Sequence, residues 1–355
     1  MKRLRRQRND GGNKKKRNKD MFDDLPDCIL LHILSFLDTK RAVRTCILST
    51  RWKDLWKRVP TLTLRSRDPN FRCSMNLKGF SRFVSRILSK RDASISLHAV
   101  DFERRGLVEP HLLKRIVKYA VSHNVQRLSL HHFTFRVGDN GRVEPFSTFN
   151  RLNSLIINNC IVLDAQNLCI SSATLANLTI QSISRPMNYP EIELSTPSLC
   201  TFAFTGLPFP KLSGNHHCSV KHVNIDADSY MNYAKVEFNG ILPSVLLSWL
   251  IELTHIRSLI VSSTILQVLS FVPDLLKLKL PSLCNLKSLK VKMRHVSHGL
   301  SKALIDAKLA QLPTRSHEEV AKLQEAFKVG SSSIPDGIVD FLLQNSPSAE
   351  VHIIK

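Results

Sequence analysis

Apolar residues recur along most of this chain in one spacing, in which a first apolar residue is followed three and five positions later by two more. The last two of each set are one residue apart, which predicts a short β-strand that buries alternate side chains. Residues 77–88 and 111–122 instead have apolar positions three and four apart, the spacing of amphipathic helices. The clear copies of the strand pattern begin at Val125, Leu152, Leu175, Leu199, Val220, Ile256 and Leu286.

A strand followed by a helix or loop, repeated many times, is typical of leucine-rich repeats, in which each unit packs on its neighbours. We therefore predict an α/β fold in which residues 61–355 form an irregular leucine-rich-repeat solenoid. This solenoid would be a horseshoe with a parallel sheet on its concave face. Weaker copies at Leu62-x-Leu64 and Ile95-x-Leu97 extend the series toward the N-terminus.

Three segments depart from the repeat. Pro273–Ser282 resembles the pattern but lies too close to the next copy, so we interpret it as packing on the convex side. Residues from about 300 to 330 predict a helical insertion that is broken at Pro313. Gly337–Lys355 predicts a helix, a turn and a strand that close the array.

Residues 21–60 predict a separate small unit of three short helices. Pro26 suits the first turn of one helix, residues 38–39 are placed to cap a second, and residues 49–50 to cap a third. The first helix carries apolar residues on more than one face, and a unit this small buries only part of its own surface. One face therefore packs on the rest of the chain and another on a partner, unless the unit is an ordinary N-terminal cap of a larger core.

The same unit contains the run Leu25-Pro26-x-x-Ile29-Leu30-x-x-Ile33-Leu34 and the ending Ser49-x-Arg51-Trp52-x-x-Leu55-Trp56. In order and spacing it resembles the F-box in the form common in plants, where a leucine-rich-repeat array often follows. The resemblance implies a helical hook that binds a Skp-type adaptor and, through it, the cullin and RING subunits of a ubiquitin ligase. It implies that Trp52 closes the unit and that the residues facing the adaptor are Leu25, Pro26, Ile29, Leu30, Ile33 and Leu34.

Positive charge is densest at the N-terminus, where residues 1–20 contain ten Lys and Arg against two Asp. The 355 residues contain 51 Lys and Arg against 29 Asp and Glu, a formal net charge of +22. Residues 1–20 lack a core-forming pattern, so we predict a disordered basic tail. Its two clusters favour a nuclear-import signal, with a solubilising tail as the alternative, and the expected localisation is nucleus and/or cytoplasm. The residues of the two clusters are Lys2, Arg3, Arg5, Arg6, Lys14, Lys15, Lys16 and Arg17.

The motifs of common catalytic sites are absent from the sequence. No glycine-rich phosphate loop, GxSxG or HExxH occurs, and the eight cysteines are scattered in a way typical of reduced, intracellular proteins. The segment from His216 to His222 lacks the paired spacing of metal ligands. We therefore predict no catalytic residue, cofactor or metal and no membrane partner, because in the implied ligase the chemistry belongs to other subunits.

The predicted strands offer a face for a target protein, since side chains that alternate with the buried ones share the other side of the sheet. Basic residues lie toward its C-terminal end and suit an acidic or phosphorylated target, with plain solvated strand faces as an equal alternative. The candidate target-binding residues are Arg127, His131, Asn158, Gln181, Asn224, Lys290 and Lys292.

The sequence thus favours the substrate-recognition subunit of an SCF-type ubiquitin ligase, a receptor that is not itself an enzyme. The alternative from another class is a nuclear nucleic-acid- or chromatin-associated protein that uses its basic charge, although a nucleic-acid partner is the less favoured reading. A small anionic ligand held in the array is favoured least, because no clustered Arg pocket is visible.

Overall fold

The computed structural model describes most of the chain beyond its basic tail. The described residues are 22, 24–66, 75–136, 142–163, 167–181, 191–214, 220–227, 241–312 and 316–354. The predicted tail at residues 1–20 lies outside them.

The N-terminal unit consists of two α-helices and two 3₁₀ turns. Helix α1 spans Asp27–Ser35 and α2 spans Thr39–Arg44, and the 3₁₀ turns are Thr45–Ile47 and Leu55–Arg58. The Asp38 carboxylate accepts a hydrogen bond from the Arg41 amide at 2.8 Å and caps α2 as expected. The third predicted helix is reduced to the second 3₁₀ turn, because the preceding amides bond to carbonyls three residues back rather than four.

Strands alternate with helices and with further strands through the rest of the chain. In order they are β1 (Thr61–Arg65), α3 (Leu77–Lys90), β2 (Ala99–Leu107), α4 (Pro110–Ser122), β3 (Arg127–Arg136), β4 (Arg142–Val143), β5 (Ser154–Asn158), β6 (Ile161–Leu163), β7 (Asn167–Ser171), β8 (Asn177–Gln181), β9 (Glu191–Ser195), β10 (Thr201–Thr205), β11 (Lys211–Gly214), β12 (His222–Asp226), α5 (Ile241–Glu252), β13 (Ser258–Ser262), α6 (Ser263–Leu269), β14 (Ser288–Lys292), α7 (His298–Gln311), α8 (His317–Ala326), α9 (Ile338–Gln344) and β15 (Glu350–Ile354).

One long parallel sheet runs the length of the array. Its strand order is β1-β2-β3-β5-β8-β10-β12-β13-β14-β15, and β6 also pairs with β3. The apolar positions align across neighbours, so that Leu128 lies opposite Leu155, and Leu155 opposite Leu178. All seven clear copies of the pattern form strands of this sheet, and the prediction of an α/β leucine-rich-repeat fold is confirmed.

The prediction of a strand at the weaker copy Ile95-x-Leu97 is wrong. The strand there is β2, whose Val100 and Phe102 lie opposite Leu128 and Leu130. Leu97 is therefore the first apolar residue of this copy, three positions before Val100. Val and Phe occupy the two strand positions because any large apolar side chain fills this row of the core.

The side of the core opposite the long sheet is built differently along the array. Helices α3 and α4 cover its beginning, and α5 and α6 follow β12 and β13. The middle units instead contribute a second parallel sheet in the order β11-β9-β7-β4. Strands replace helices where successive strands of the long sheet follow at short intervals, which leave too few residues for a helix.

The segment Pro273–Ser282 forms no strand. It contains a 3₁₀ turn at Leu275–Lys277, and a second turn begins at Pro281. Leu275 and Leu280 are buried against the core, as expected for packing behind the sheet. Lys277 and Lys279 therefore do not join the sheet face.

The N-terminal unit and the array share one continuous apolar core. The Thr63 amide of β1 donates to the buried Thr39 hydroxyl of α2 at 3.0 Å. The His98 amide donates to the Pro60 carbonyl at 2.8 Å, and the Arg91 guanidinium donates to the Val59 carbonyl. The unit therefore caps the first repeat while leaving its other face open. Within the described part of the chain, no helix has the length and apolar character needed to cross a membrane.

Candidate partner-binding surfaces

Helix α1 presents an apolar stripe to solvent. Ile29, Ile33 and Phe36 follow at intervals of four and three residues, which places them on one side of the helix. Their exposed fractions are 44%, 37% and 76%. Exposed large apolar residues that share one face mark interaction sites more often than ordinary surface. We call these three residues the α1 stripe.

The opposite side of α1 is buried in the chain's own core. Leu30 and Leu34 are fully buried in the same apolar cluster as Trp52 and Trp56. Their four-residue spacing puts both on the side of α1 that packs on the core, so neither side chain reaches solvent here, and their contact with an adaptor stays a prediction. Trp52 is buried where it closes the unit.

The surface left for an adaptor is smaller than the one expected from the sequence. Pro26 is exposed and Leu25 is partly exposed, and both precede α1 directly. Of the predicted adaptor contacts, Leu25, Pro26, Ile29 and Ile33 thus remain available.

Arg51 fixes the chain just before α1. Its Nη2 and Nε donate to Asp27 Oδ1 at 2.9 and 3.2 Å, and its Nη1 donates to the Phe22 carbonyl at 3.3 Å. It also donates to the Leu25 carbonyl. A planar guanidinium suits this arrangement because its donors point in fixed directions. No role was predicted for Arg51, although the sequence places Asp27 at the start of the first helix as a possible partner.

The predicted target-binding residues lie on the face of the long sheet that points away from the apolar core. They form separate groups there. His131, Asn158 and Gln181 align in one row across β3, β5 and β8. Asn224 and Lys290 belong to another row, with Ile260 between them.

Arg127 and Lys292 complete this set. Arg127 lies four residues before His131 on β3, about 13 Å along the strand. Lys292 is opposite Ser262 on β13. The sequence therefore predicted a shared face rather than a single cluster.

Ion pairs between neighbouring strands lie toward both ends of this face. Toward the N-terminal end, Arg65 contacts Asp101 at 3.0 Å and Glu103 at 3.4 Å, and His131 Nε2 lies 3.4 Å from Asp101. This network was not predicted, because a second strand at residues 95–97 instead of on β2 does not bring Asp101 and Glu103 beside Arg65.

A second cluster lies toward the C-terminal end, around the buried Asp226 carboxylate. Lys292 Nζ lies 3.3 Å from Asp226 Oδ2, and Arg294 Nε donates to Oδ1 at 3.1 Å while its Nη2 donates to Oδ2. Burial raises the pKa of Asp226, but the Arg294 hydrogen bond and the charges of Arg294 and Lys292 outweigh it and lower the pKa overall. Lys292 and Arg294 are therefore both partly neutralised, and the basic character of this end depends most on Lys290.

Arg294 was absent from the candidate residues, although it continues the alternation of Lys290 and Lys292 by one more step. The Ser263 hydroxyl accepts a hydrogen bond from the Arg294 amide at 3.0 Å, which holds the residue beside the strand end. A search that extends the alternation past the predicted strand would have found it.

Replacing Asp226 by Asn is expected to lower the free energy of unfolding at neutral pH by about 2 kcal/mol, because the negative charge is lost and one of the two acceptor oxygens beside Arg294 and Lys292 becomes an amide donor. Since the pKa of Asp226 is lowered in the folded chain, its contribution is present above the unfolded pKa near 4 and is lost as the pH falls through the folded value. Urea unfolding at pH 7 and at acidic pH should show the difference between the two proteins shrinking with acidity. The exposed Asp274→Asn serves as control, and a difference that is independent of pH would contradict the assignment.

No group of three His, Cys, Asp or Glu side chains in the described ranges is arranged to hold a metal ion. Residues 215–219, which include most of the segment considered for a metal, lie outside those ranges.

Comparison with known proteins bears on the N-terminal unit directly. Residues 22–63 match the family model of the F-box domain. Residues 22–63 are therefore similar to F-box domains. The match covers α1, α2 and the start of β1, so the α1 stripe lies within the matched segment.

Relatives extend the resemblance into the array. An F-box/LRR-repeat protein of Arabidopsis thaliana is 30% identical over 165 residues, which are 46% of this chain and 33% of the relative. A putative F-box/LRR-repeat protein of the same plant is 31% identical over 132 residues, 37% of this chain and 24% of the relative. An F-box/FBD/LRR-repeat protein of this plant is 48% identical over 66 residues, 19% of this chain and 13% of the relative.

These matches confirm the resemblance to plant F-box/leucine-rich-repeat proteins. They support an F-box substrate-receptor role in general terms. The matched segments span a third or less of these curated relatives.

Proposed function

We propose that this chain is the substrate-recognition subunit of an SCF-type ubiquitin ligase. Its F-box binds a Skp-type adaptor, which brings the cullin and RING subunits, and its long sheet binds the target protein. The chain then acts by holding the target near the transfer centre, where proximity raises the effective concentration of the reacting groups. The observation that carries the proposal is the F-box match at residues 22–63, with the α1 stripe left in solvent.

The α1 stripe supports the adaptor half of this proposal. Arg51 anchors the carbonyls of Phe22 and Leu25, so the chain that leads to Pro26 and Ile29 is held before any partner arrives. A surface fixed in advance loses less conformational entropy on binding.

The purified full-length chain, mixed with a Skp-type adaptor, should elute from a size-exclusion column as a one-to-one complex. Addition of the cullin and RING subunits should give a larger complex in which ubiquitin transfer to a captured target needs this chain. A folded chain that forms no complex with any Skp-type adaptor would refute the adaptor half. A complex without transfer would refute the ligase role.

The face of the long sheet supports the target-binding half. It carries polar and charged side chains in register, from Arg127 and His131 through Asn158, Gln181 and Asn224 to Lys290 and Lys292. Lys290 is the residue that we expect to contact an acidic target, because Lys292 is already paired with Asp226.

Lys290→Glu is expected to weaken capture of an acidic or phosphorylated target by about tenfold, since a favourable charge contact becomes a repulsive one. Affinity capture from plant extract with quantitative mass spectrometry checks this. Lys279→Glu makes the same charge change off the sheet face and should leave capture unchanged. Equal target recovery with Lys290→Glu would remove the anionic part of the proposal.

The basic tail is proposed as a nuclear-import signal. Its two clusters, one at Lys2, Arg3, Arg5 and Arg6 and the other at Lys14, Lys15, Lys16 and Arg17, are separated by a short spacer. A fusion of residues 1–20 to a fluorescent reporter should accumulate in the nucleus, and replacement of the second cluster by alanines should disperse it. A fusion that stays cytoplasmic would leave the tail as a solubilising segment.

A further inference from the structure

A cavity of about 640 Å³ lies among the helices behind the C-terminal part of the array. Its walls come from α6, the Leu275–Lys277 turn, α7, the end of α8 and residues 333–338, and no lining residue belongs to a strand. The volume is within the range of small-molecule sites. The apolar part of the lining consists of Val272, Leu275, Leu276, Phe327, Ile334 and Ile338.

Lys308 of α7 places a half-buried cation in this cavity. Its Nζ lies 3.5 Å from Ser270 Oγ and 4.4 Å from the centre of the Phe271 ring. These groups orient the ammonium group, but neither carries a negative charge. Burial lowers the pKa of Lys308, and no neighbouring charge among the described residues offsets that effect. A half-buried ammonium group with no carboxylate partner is stabilised when an anion enters beside it.

Two carboxylates, those of Asp274 and Asp336, also line the cavity. Asp274 is exposed and its Oδ1 lies 2.7 Å from Lys277 Nζ, and Asp336 is also exposed. Neither carboxylate forms an ion pair with Lys308. Asp274 is thus paired with Lys277, while Lys308 has no carboxylate partner among the described residues.

Hydrogen bonds connect the walls of the cavity in the absence of a ligand. Gln267 Nε2 donates to the Ser333 carbonyl at 3.2 Å and to Ser333 Oγ at 3.1 Å. Gln311 Nε2 donates to the Phe271 carbonyl at 3.2 Å, which joins α7 to the end of α6. A braced cavity binds a ligand with a smaller loss of conformational entropy.

We propose that this cavity is a binding site for a small amphipathic carboxylate. Its carboxylate would pair with Lys308 Nζ, and its apolar body would pack against Phe327, Ile334 and Ile338. One compact ammonium group beside apolar walls suits a single negative charge with an apolar body better than a phosphate, which needs several charged donors. The site is separate from the adaptor and target surfaces and gives the helical insertion a role of its own.

The test uses the full-length chain and isothermal titration calorimetry with phenylacetate, 4-phenylbutyrate and octanoate. At least one of these acids should bind, and the neutral 4-phenylbutyramide should bind roughly tenfold more weakly than 4-phenylbutyrate because it lacks the charge. Lys308→Met keeps the length of the side chain and should weaken the acid roughly tenfold. Lys302→Met, an exposed position on the same helix, should change nothing.

Four results would overturn the proposal: none of the three acids binds, the amide binds as tightly as the acid, inorganic phosphate displaces the acid, or Lys308→Met binds like the wild type. Thermal unfolding followed by circular dichroism checks that the variant is folded. If Lys308→Met unfolds below the assay temperature, Lys308→Gln replaces it and is judged by the same outcomes.

Discussion

Replacing Ile29 by aspartate is expected to weaken binding of a Skp-type adaptor by about 100-fold while the chain stays folded. The Ile29 side chain is 44% exposed, so a carboxylate there keeps its water in the free chain. In the complex that water would have to leave, and an unpaired charge buried at the interface opposes binding. Loss of an apolar anchor costs about 3 kcal/mol in such interfaces, which corresponds to about 100-fold.

Calorimetric titration of the purified adaptor into the wild type and into Ile29→Asp measures this effect. Ile251→Asp is the matched control, because Ile251 is 50% exposed on α5, far along the sequence from the F-box. It should bind the adaptor like the wild type. Unchanged binding of Ile29→Asp, or an equal loss in Ile251→Asp, would remove the α1 stripe from the adaptor site.

The strands of the long sheet were predictable because they depend on local spacing. A one-residue separation between large apolar residues puts both on the same side of a strand, wherever the strand lies in the chain. The closing segment, Gly337–Lys355, was predictable in the same way, since α9 and β15 occupy the residues expected for a helix and a strand. The error at Ile95-x-Leu97 arose where Val100 and Phe102 replace the leucines of the pattern.

The inward face of α1 could not be predicted in the same way. Leu30 and Ile29 are equally apolar, and only the position of Trp52 and Trp56 in three dimensions decides which of them is buried. The second parallel sheet was missed for a related reason. Strands such as β7 and β9 fall in the variable part of the repeats, where no spacing recurs.

Charged clusters were the least predictable part of the candidate sites. Asp226 and Arg294 are 68 residues apart in sequence, and Ser270 and Lys308 are 38 apart. Each pair meets only because the solenoid stacks one repeat on the next. The shared face of the sheet therefore follows from the sequence pattern. Its ion pairs and the cavity behind it can be identified only from the three-dimensional structure.

Trp249→Ala is expected to lower the free energy of unfolding by about 4 kcal/mol, the usual cost of removing a large buried aromatic side chain. Trp249 of α5 is fully buried. Its ring lies edge-on to Phe204 with centroids 4.8 Å apart and 5.7 Å from that of Phe202, both on β10. Its Nε1 donates to the Pro210 carbonyl at 2.9 Å, directly before β11. One side chain thus joins α5 to both sheets.

Trp249→Phe separates the two contributions, because it keeps a ring against β10 but loses the hydrogen bond to Pro210. We expect it to cost about 1–2 kcal/mol, from one unpaired carbonyl and a small cavity. The exposed Ile251→Ala on the same helix should cost less than about 0.5 kcal/mol. Urea unfolding followed by circular dichroism measures all three variants. Equal losses for Trp249→Ala and Trp249→Phe would mean that the hydrogen bond, rather than ring packing, holds α5 to the array.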